Sequence, residues 1–328
     1  MSQVKDQLIT KDYALYNSDC MLVLPTLEKS SIDLSIYSPP FAGLYNYSSS
    51  DNDFSNCESK EQFLEQYDFL IAEIARVTKP GRITAVHVTD IIGKDGDMWD
   101  FPSEVKKLHR KHGFAHRNTI TIWKEPLKVR MRTMVKSLMH KLIVEDATEC
   151  FTAMPDYVLI FKKNGVNEVP VTHELGLSDY YGETPVLPAM VEKYGTFEDL
   201  KKKYLGHADP KTNKLSHIIW QRYASSVWDD IRIDNVLKYK ESKDEDDEKH
   251  VHPLQLDVIY RLVELYSNQG EVCFTPFMGV GSEVFAPVQL GRRAIGVELK
   301  DTYYKQAIEN MKEVYNHRLV VPELFDAI

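Results

Sequence analysis

Residues 271–300 read EVCFTPFMGVGSEVFAPVQLGRRAIGVELK. A short apolar run, a glycine loop, a helical pattern, a turn at Gly291 and a second apolar run follow in that order. Two parallel strands need a crossover of this kind, so the stretch predicts a strand–loop–helix–strand unit of an α/β sheet. Gly279 and Gly281 let the backbone pass close to a ligand, and the helix that follows offers free N–H groups at its start. Glu298 ends the second strand, where an acid accepts hydrogen bonds from ribose hydroxyls. The third glycine of the dinucleotide fingerprint is missing, because Ser282 and Glu283 follow Gly281 directly. A bare G-x-G is equally a tight structural turn. Loop and acid together predict an adenosine-containing cofactor without a pyrophosphate in preference to a dinucleotide.

The N-terminal third repeats the same alternation. "SIDLSIYS" (31–38) reads as a buried strand. In "KEQFLEQYDFLIAEIARVTKPG" (60–81) the apolar positions recur at three- and four-residue steps, giving a helix that Lys79-Pro80-Gly81 ends. "RITAVHVTD" is the next strand and "FPSEVKKLHRKHGF" a short helix stopped by Gly113. "NTITIWKE" and "DYVLIFKK" are further strands. The sheet is expected to be parallel in its main part. From 163 to 235 prolines and glycines increase and periodicity fades, which reads as an insertion or a small second domain. Within it "TFEDLKKKYLG" is helical, and Trp220, Tyr223 and Trp228 are read as core aromatics. The acidic run 241–249, within 236–249, reads as an exposed linker. "HPLQLDVIYRLVELYS" (252–267) and "YYKQAIENMKEVYNH" (303–317) are helices.

Four cysteines without metal-like spacing read as reduced thiols, with neither a disulfide frame nor a metal site expected. No apolar stretch is long enough to span a membrane, and the first residues lack a secretory layout. These features place the chain in a cytoplasm. Its net charge of −9 argues weakly against a polyanionic partner. Yet residues 124–141, KEPLKVRMRTMVKSLMHK, carry six Lys/Arg against one Glu, so the chain can still present a basic face. On charge alone a solvated surface is the favoured explanation of that run.

Ser38-Pro39-Pro40-Phe41 follows the first buried strand. The prolines fix φ and remove donors, leaving stiff carbonyl acceptors beside a hydroxyl and an aromatic ring. Such a corner suits a planar group with an exocyclic amine. It also suits a plain strand stop with a core phenylalanine.

Taken together these stretches resemble the DNA amino-methyltransferases, which methylate cytosine N4 or adenine N6 with S-adenosyl-L-methionine. "YNSDCMLVLPTLEKSSIDLSIYSPPF" is similar to the run leading to the family's (D/N/S)-P-P-(Y/F/W) motif. "EIARVTKPGRITAVHV", "TIWKEP", "DYVLIFKK" and "HPLQLDVIYRLVEL" resemble segments further on. "FTPFMGVGSEVFAPVQLGRRAIGVELKD" resembles the cofactor loop and its continuation. The catalytic motif precedes that loop, the order of the beta group.

The resemblance implies a Rossmann-like methyltransferase sheet in two halves, 1–162 and 250–328, with a target-recognition insertion at 163–235. Ser38, Pro39, Pro40 and Phe41 would hold a flipped base. Asp19 would meet the cofactor's adenine amine and Glu298 its ribose. Thr275, Phe277, Gly279, Gly281 and Ser282 would shape the loop, and His252 and Gln255 would line the methionine end. Lys128, Arg130, Arg132, Lys136, Lys201, Lys202, Lys203 and Arg222 are candidate contacts to double-stranded DNA, as are Lys211 and Lys214. Thr275 stands where the family usually has Asp, which bears on the strength of cofactor binding. Gln255 is followed by Leu256 and Asp257 in place of the usual Lys-Pro. Serine at the first motif position leans toward cytosine. An RNA or small-amine methyltransferase, or a DNA-binding protein without activity on the same scaffold, are the alternatives. A homodimer and an accompanying restriction enzyme are both compatible with the reading.

Overall fold

Alternating apolar runs and helices wind one mixed sheet with helices on both faces. A computed structural model describes residues 4–40, 57, 59–92, 97–133, 136–242 and 253–315. The strands are β1 (Asp6–Ile9), β2 (Tyr13–Asn17), β3 (Ile32–Tyr37), β4 (Thr78–Val88), β5 (Ile91–Ile92), β6 (Met98–Trp99), β7 (Phe114–Ile122), β8 (Asp156–Lys163), β9 (Val227–Trp228), β10 (Val272–Thr275) and β11 (Arg293–Glu298). The helices are α1 (Cys20–Val23), α2 (Lys60–Val77), α3 (Phe101–Lys111), α4 (Pro126–Thr133), α5 (Lys141–Glu145), α6 (Pro188–Tyr194), α7 (Phe197–Tyr204), α8 (Lys214–Tyr223), α9 (Leu256–Tyr266), α10 (Ser282–Gln289) and α11 (Asp301–Lys312).

The sheet order is β1-β2-β11-β10-β3-β4-β8-β7-β9, with β5 and β6 paired separately. From β2 to β4 the neighbours run parallel, as the sequence predicts. β8 lies antiparallel to both of its neighbours, and β1 lies antiparallel to β2. All six residues of β3 are buried, because helices cover both faces. Leu34 and Ile36 join one hydrophobic cluster with Val258 and Leu262 of α9 and Val284 of α10. Tyr37 joins the other, with Phe63 and Tyr67 of α2 and Phe101 of α3.

α2 begins where Ser59 caps it, its hydroxyl accepting from the Gln62 N–H at 3.1 Å. Its end differs from expectation. β4 starts at Thr78, so Lys79-Pro80-Gly81 lies inside the strand. The register steps from Ile32–Thr78 to Leu34–Ile83, so the extra residues of β4 form a bulge. Gly81 sits there at φ +73°, and an added Cβ would fall 2.4 Å from the Asn167 nitrogen.

The 163–235 segment is not a detached domain. Leu200, Leu215, Ile219 and Trp228 belong to the same cluster as Leu34 and Val258. β9 extends the sheet beyond β7, through Thr121–Val227 and Ile122–Trp228. Arg261 of α9, fully buried, fastens the segment. Its guanidinium lies 2.9 Å from both Asp230 carboxylate oxygens and about 5 Å from the ring centres of Tyr180, Tyr223 and Trp228. Tyr223 and Trp228 are core, as expected. Trp220 is not: it is 58% exposed, because α8 turns Leu215, Ile218, Ile219 and Tyr223 inward. Among the described residues no helix is long and apolar enough to cross a membrane.

Candidate active site

The carboxyl edge of the parallel strands gathers the candidate residues. Ser38 and Pro40 are half-buried and Pro39 is buried, directly after β3. Tyr37 fixes the corner from behind. Its hydroxyl lies 3.2 Å from His109 Nε2 and 3.3 Å from the Tyr67 hydroxyl. His109 Nδ1 lies 2.8 Å from the Val105 carbonyl, which makes it the donor and Nε2 the acceptor. Burial pushes His109 down to about 3, so it stays neutral. The Tyr37 ring also meets Phe277 edge-on, with centroids 6.1 Å apart. The Ser-Pro-Pro corner and the glycine loop, far apart in sequence, thus share a wall.

The loop is held by its own acid. Glu298 Oε2 accepts from the Gly279 N–H at 2.9 Å, and Oε1 from the Lys300 N–H at 2.8 Å. Gly279 and Gly281 adopt φ of +51° and +97°, and Gly281 caps α10. Thr275 is fully buried, and its hydroxyl accepts from the Phe277 N–H at 3.4 Å. Asn310 of α11 supports the loop from below, donating to the Val280 carbonyl at 2.9 Å. Across β11, Asp19 caps α1 by accepting from the Met21 N–H at 2.8 Å. Burial raises its carboxyl against that hydrogen bond.

Three observations mark the loop as built for a ligand. The Ser282 hydroxyl is 1% exposed and has no partner among the described residues. Gln255, the first cap of α9, is 8% exposed, and its Oε1 is equally unpartnered. A Cβ added at Gly279 would meet nothing within 4 Å, so the loop is open on that side. Buried polar atoms normally find a partner, and a ligand with donor groups supplies one here. Glu283 follows in the first turn of α10. Burial, with Glu298 nearby, pushes its carboxyl up to about 8.

Beyond Ser38 the same edge carries a row the sequence reading missed. His87 lies near the end of β4, Asp156 opens β8, and Lys124 follows β7. Lys124 Nζ lies 2.5 Å from Asp156 Oδ1, and His87 Nε2 lies 3.2 Å from Asp156 Oδ2. Burial alone would raise the Asp156 carboxyl, but Lys124 and His87 outweigh it and hold it well below the usual range. The only signal in the sequence was a lone histidine and a lone aspartate at strand ends. Among the described residues no group of three or more His, Cys, Asp or Glu could hold a metal ion.

The basic run forms α4 and leaves from this same edge. Glu125 caps it, accepting from the Leu127 and Lys128 N–H groups at 2.9 and 2.6 Å. Lys128 and Lys136 are exposed and Arg130 is half-buried; the Arg132 side chain lies outside the description. Leu127 and Met131 are also exposed on this helix. Lys202 and Lys203 are exposed on α7, while Lys201 lies 3.7 Å from Asp179. Arg222 does not fit a phosphate contact. Its side chain is 11% exposed and its guanidinium lies 2.6 Å from Asp229 and 3.2 Å from Asp230, so its charge is already matched. Phe41, His252 and the acidic run 243–249 lie outside the described residues.

Fold and edge together define a Rossmann-like methyltransferase sheet. The chain belongs to the DNA methylase family, whose N6/N4 methyltransferase model matches residues 32–309. The type II methyltransferase M.MthZI of Methanothermobacter thermautotrophicus is 22% identical over 305 residues, covering 87% of this chain and 72% of that one. M.BamHI of Bacillus amyloliquefaciens is 23% identical over 303 residues, and this chain spans 57% of its length. A Thermus thermophilus protein solved in complex with S-adenosyl-L-methionine is 21% identical with a TM-score of 0.57, covering 92% of this chain and 95% of that one. The cytosine-N4-specific PvuII DNA methyltransferase is 13% identical with a TM-score of 0.58, covering 96% of each. At these identities the structural likeness is one of fold.

Proposed function

We propose that this chain takes a methyl group from S-adenosyl-L-methionine and places it on the exocyclic amine of a base flipped out of duplex DNA, cytosine N4 before adenine N6. The observation that supports the reading is the edge-on contact between Tyr37, the residue before Ser38, and Phe277 of the glycine loop. Bound there, the cofactor supplies a sulfonium-activated methyl group open to in-line displacement. Glu298 takes its ribose and Asp19 its adenine amine. Ser282 and Gln255, each with a buried oxygen unpartnered among the described residues, take donors at its methionine end, with His252. Thr275 keeps an acceptor where the family's usual Asp would stand, and uses it on the loop itself.

The rest is positioning. The lone pair of an exocyclic amine is delocalised into the ring. The Ser38 hydroxyl and the Pro39 carbonyl accept from its two hydrogens and draw the nitrogen toward tetrahedral geometry. The prolines keep both acceptors in place before the base arrives, so little reorganisation is needed. Phe41 stacks on the base, which must leave the helix to reach such a corner. Exposed lysines of α4 and α7 supply phosphate contacts, and the 163–235 segment supplies base contacts. A hydroxyl in place of a carboxylate at position 38 supports cytosine. The chain works in the cytoplasm of a bacterium or a phage-infected cell.

Expressing the chain in a bacterium without DNA methylation, then sequencing the genome for modified bases, tests all of this. The expected result is 4-methylcytosine in one recurring motif. Adenine methylation would overturn the base assignment. Labelled RNA with unmodified DNA would overturn the substrate. Ser38→Ala should lower the methylation rate at least about 100-fold, as loss of one preorganised hydrogen-bonding group does, with cofactor affinity unchanged.

A further inference from the structure

We propose that His87 is the proton acceptor of the reaction, oriented by Asp156 and Lys124. The proposal rests on the reading of the Ser38 corner as the base site. When the amine nitrogen bonds the methyl carbon, the carbon–sulfur bond breaks and its electron pair stays on sulfur. The positive charge moves to nitrogen, which then holds one proton too many. Ser38 is a hydroxyl and accepts that proton poorly.

The register puts His87 in reach. Tyr37 pairs with Val86 in the parallel β3–β4 ladder, so Ser38 and His87 are the next residues at the same level. Side chains alternate along a strand, and Ile36 and Ala85 point into one cluster, so Ser38 and His87 share that face. Neighbouring strands lie about 5 Å apart.

The ring is oriented for the task. Asp156 Oδ2 stands 3.2 Å from Nε2, and although neither ring nitrogen makes a hydrogen bond among the described residues, the carboxylate favours the proton of the neutral ring on Nε2, the nitrogen it faces. Nδ1 is buried without a partner among the described residues and keeps its lone pair. Lys124 keeps Asp156 ionised, so the carboxylate steadies the imidazolium after it forms without taking its proton. The charged groups facing His87 are Asp156 from β8 and Lys124 from the end of β7. Ser38 on the β3 side is uncharged. Asp90, past the end of β4, couples instead to Asp100, Lys106 and Tyr157. His109, the other histidine near the corner, has both nitrogens engaged and stays neutral. The proton passes from the amine nitrogen to Nδ1 and from the imidazolium to water.

Nitrogen NMR of the unliganded full chain reads the tautomer directly, with His87→Asn identifying the signal. A bare Nδ1 and a protonated Nε2 are expected; a protonated Nδ1 overturns the proposal. In single-turnover methylation of duplex DNA, His87→Asn should be slower by about 100-fold, the low end of general-base contributions. Its rate should also lose the acid limb of the parent's pH profile. Duplex affinity, and the fluorescence of 2-aminopurine at the target position, should be unchanged. Parental rate and pH profile in His87→Asn overturn the proposal, as does a loss confined to duplex binding. Ser38→Ala separates the two readings. If it is inactive while His87→Asn is fully active, only the role of His87 falls. If Ser38→Ala is fully active, the base site itself is misplaced.

Discussion

The two edges of the central sheet are built from the same strands and treat polar groups in opposite ways. At the amino edge the charges are matched. Asp33 accepts from Lys79 Nζ at 2.7 Å and from the Val272 N–H at 3.0 Å. Arg82 donates to the Asp33 carbonyl at 3.1 Å and pairs with Glu271, which also accepts from the Asn268 N–H at 2.7 Å. Arg292 is buried among the Ser267 and Leu290 carbonyls, each at 2.7 Å. At the carboxyl edge the Ser282 hydroxyl, Gln255 Oε1 and His87 Nδ1 are buried and unpartnered among the described residues, and Glu283 is an acid in a place that disfavours its charge. One edge lowers the energy of the fold. The other carries groups whose partners arrive with ligands. Local rules broken at one edge and obeyed at the other are what a functional site looks like.

Perturbing the two edges should change stability in opposite directions. The largest effect belongs to the amino edge. Arg82→Met leaves Asp33 and Glu271 buried without their shared cation, and such one-sided breaks cost about 3–5 kcal/mol. Urea unfolding should show that loss, and cofactor affinity of the folded protein should be unchanged.

Glu283→Gln at the carboxyl edge should do the reverse. Below about pH 4.5, the ordinary glutamate value, the carboxyl is protonated in folded and unfolded chain alike, and the variant should match the parent. As pH rises toward 8 the unfolded chain ionises and the folded one does not, so the parent loses stability that the variant keeps. The margin should grow through that window and reach on the order of 2 kcal/mol near neutrality. Thermal melts across pH check it; a margin that shrinks as pH rises would contradict the burial argument.

Gln255→Leu is the smaller test of the same kind. Removing a buried oxygen that has no partner among the described residues should leave stability equal or slightly higher. Cofactor affinity should weaken by about 1 kcal/mol, roughly fivefold. Calorimetry on the folded chain separates the two effects.

The carboxyl edge was legible where its parts are local in sequence. Ser38 follows an apolar run directly, and Gly279, Gly281 and Glu298 lie in one strand–loop–helix–strand unit. Such units announce themselves by period and punctuation. The His87–Asp156–Lys124 row did not, because it exists only once β8 inserts between β4 and β7, and no local pattern reports that order. Lys79-Pro80-Gly81 has the chemistry of a stop, yet pairing with β3 absorbs it as a bulge. Arg222 and Arg261 look like surface charges until Asp230 pairs with both and the Tyr180, Tyr223 and Trp228 rings close around Arg261. Hydropathy registers what a residue is, and burial of an arginine depends on what meets it.

Whether a charge is already matched also decides the smallest effect. Lys128 and Arg222 are equal candidates for phosphate contacts in the sequence, and the structure separates them. Lys128 is exposed on α4, which leaves from the carboxyl edge, whereas Arg222 is matched by Asp229 and Asp230. A lysine that neutralises one phosphate releases condensed counterions, so Lys128→Ala should lower the salt slope of duplex binding by about 0.9. The change should be independent of sequence, because a phosphate contact carries no base information. Arg222→Ala should leave that slope intact and show its cost in unfolding, since its carboxylate partners would be stranded. Equal changes in salt slope for the two variants would mean that the Asp229–Asp230 pairing opens on DNA and that Arg222 changes sides.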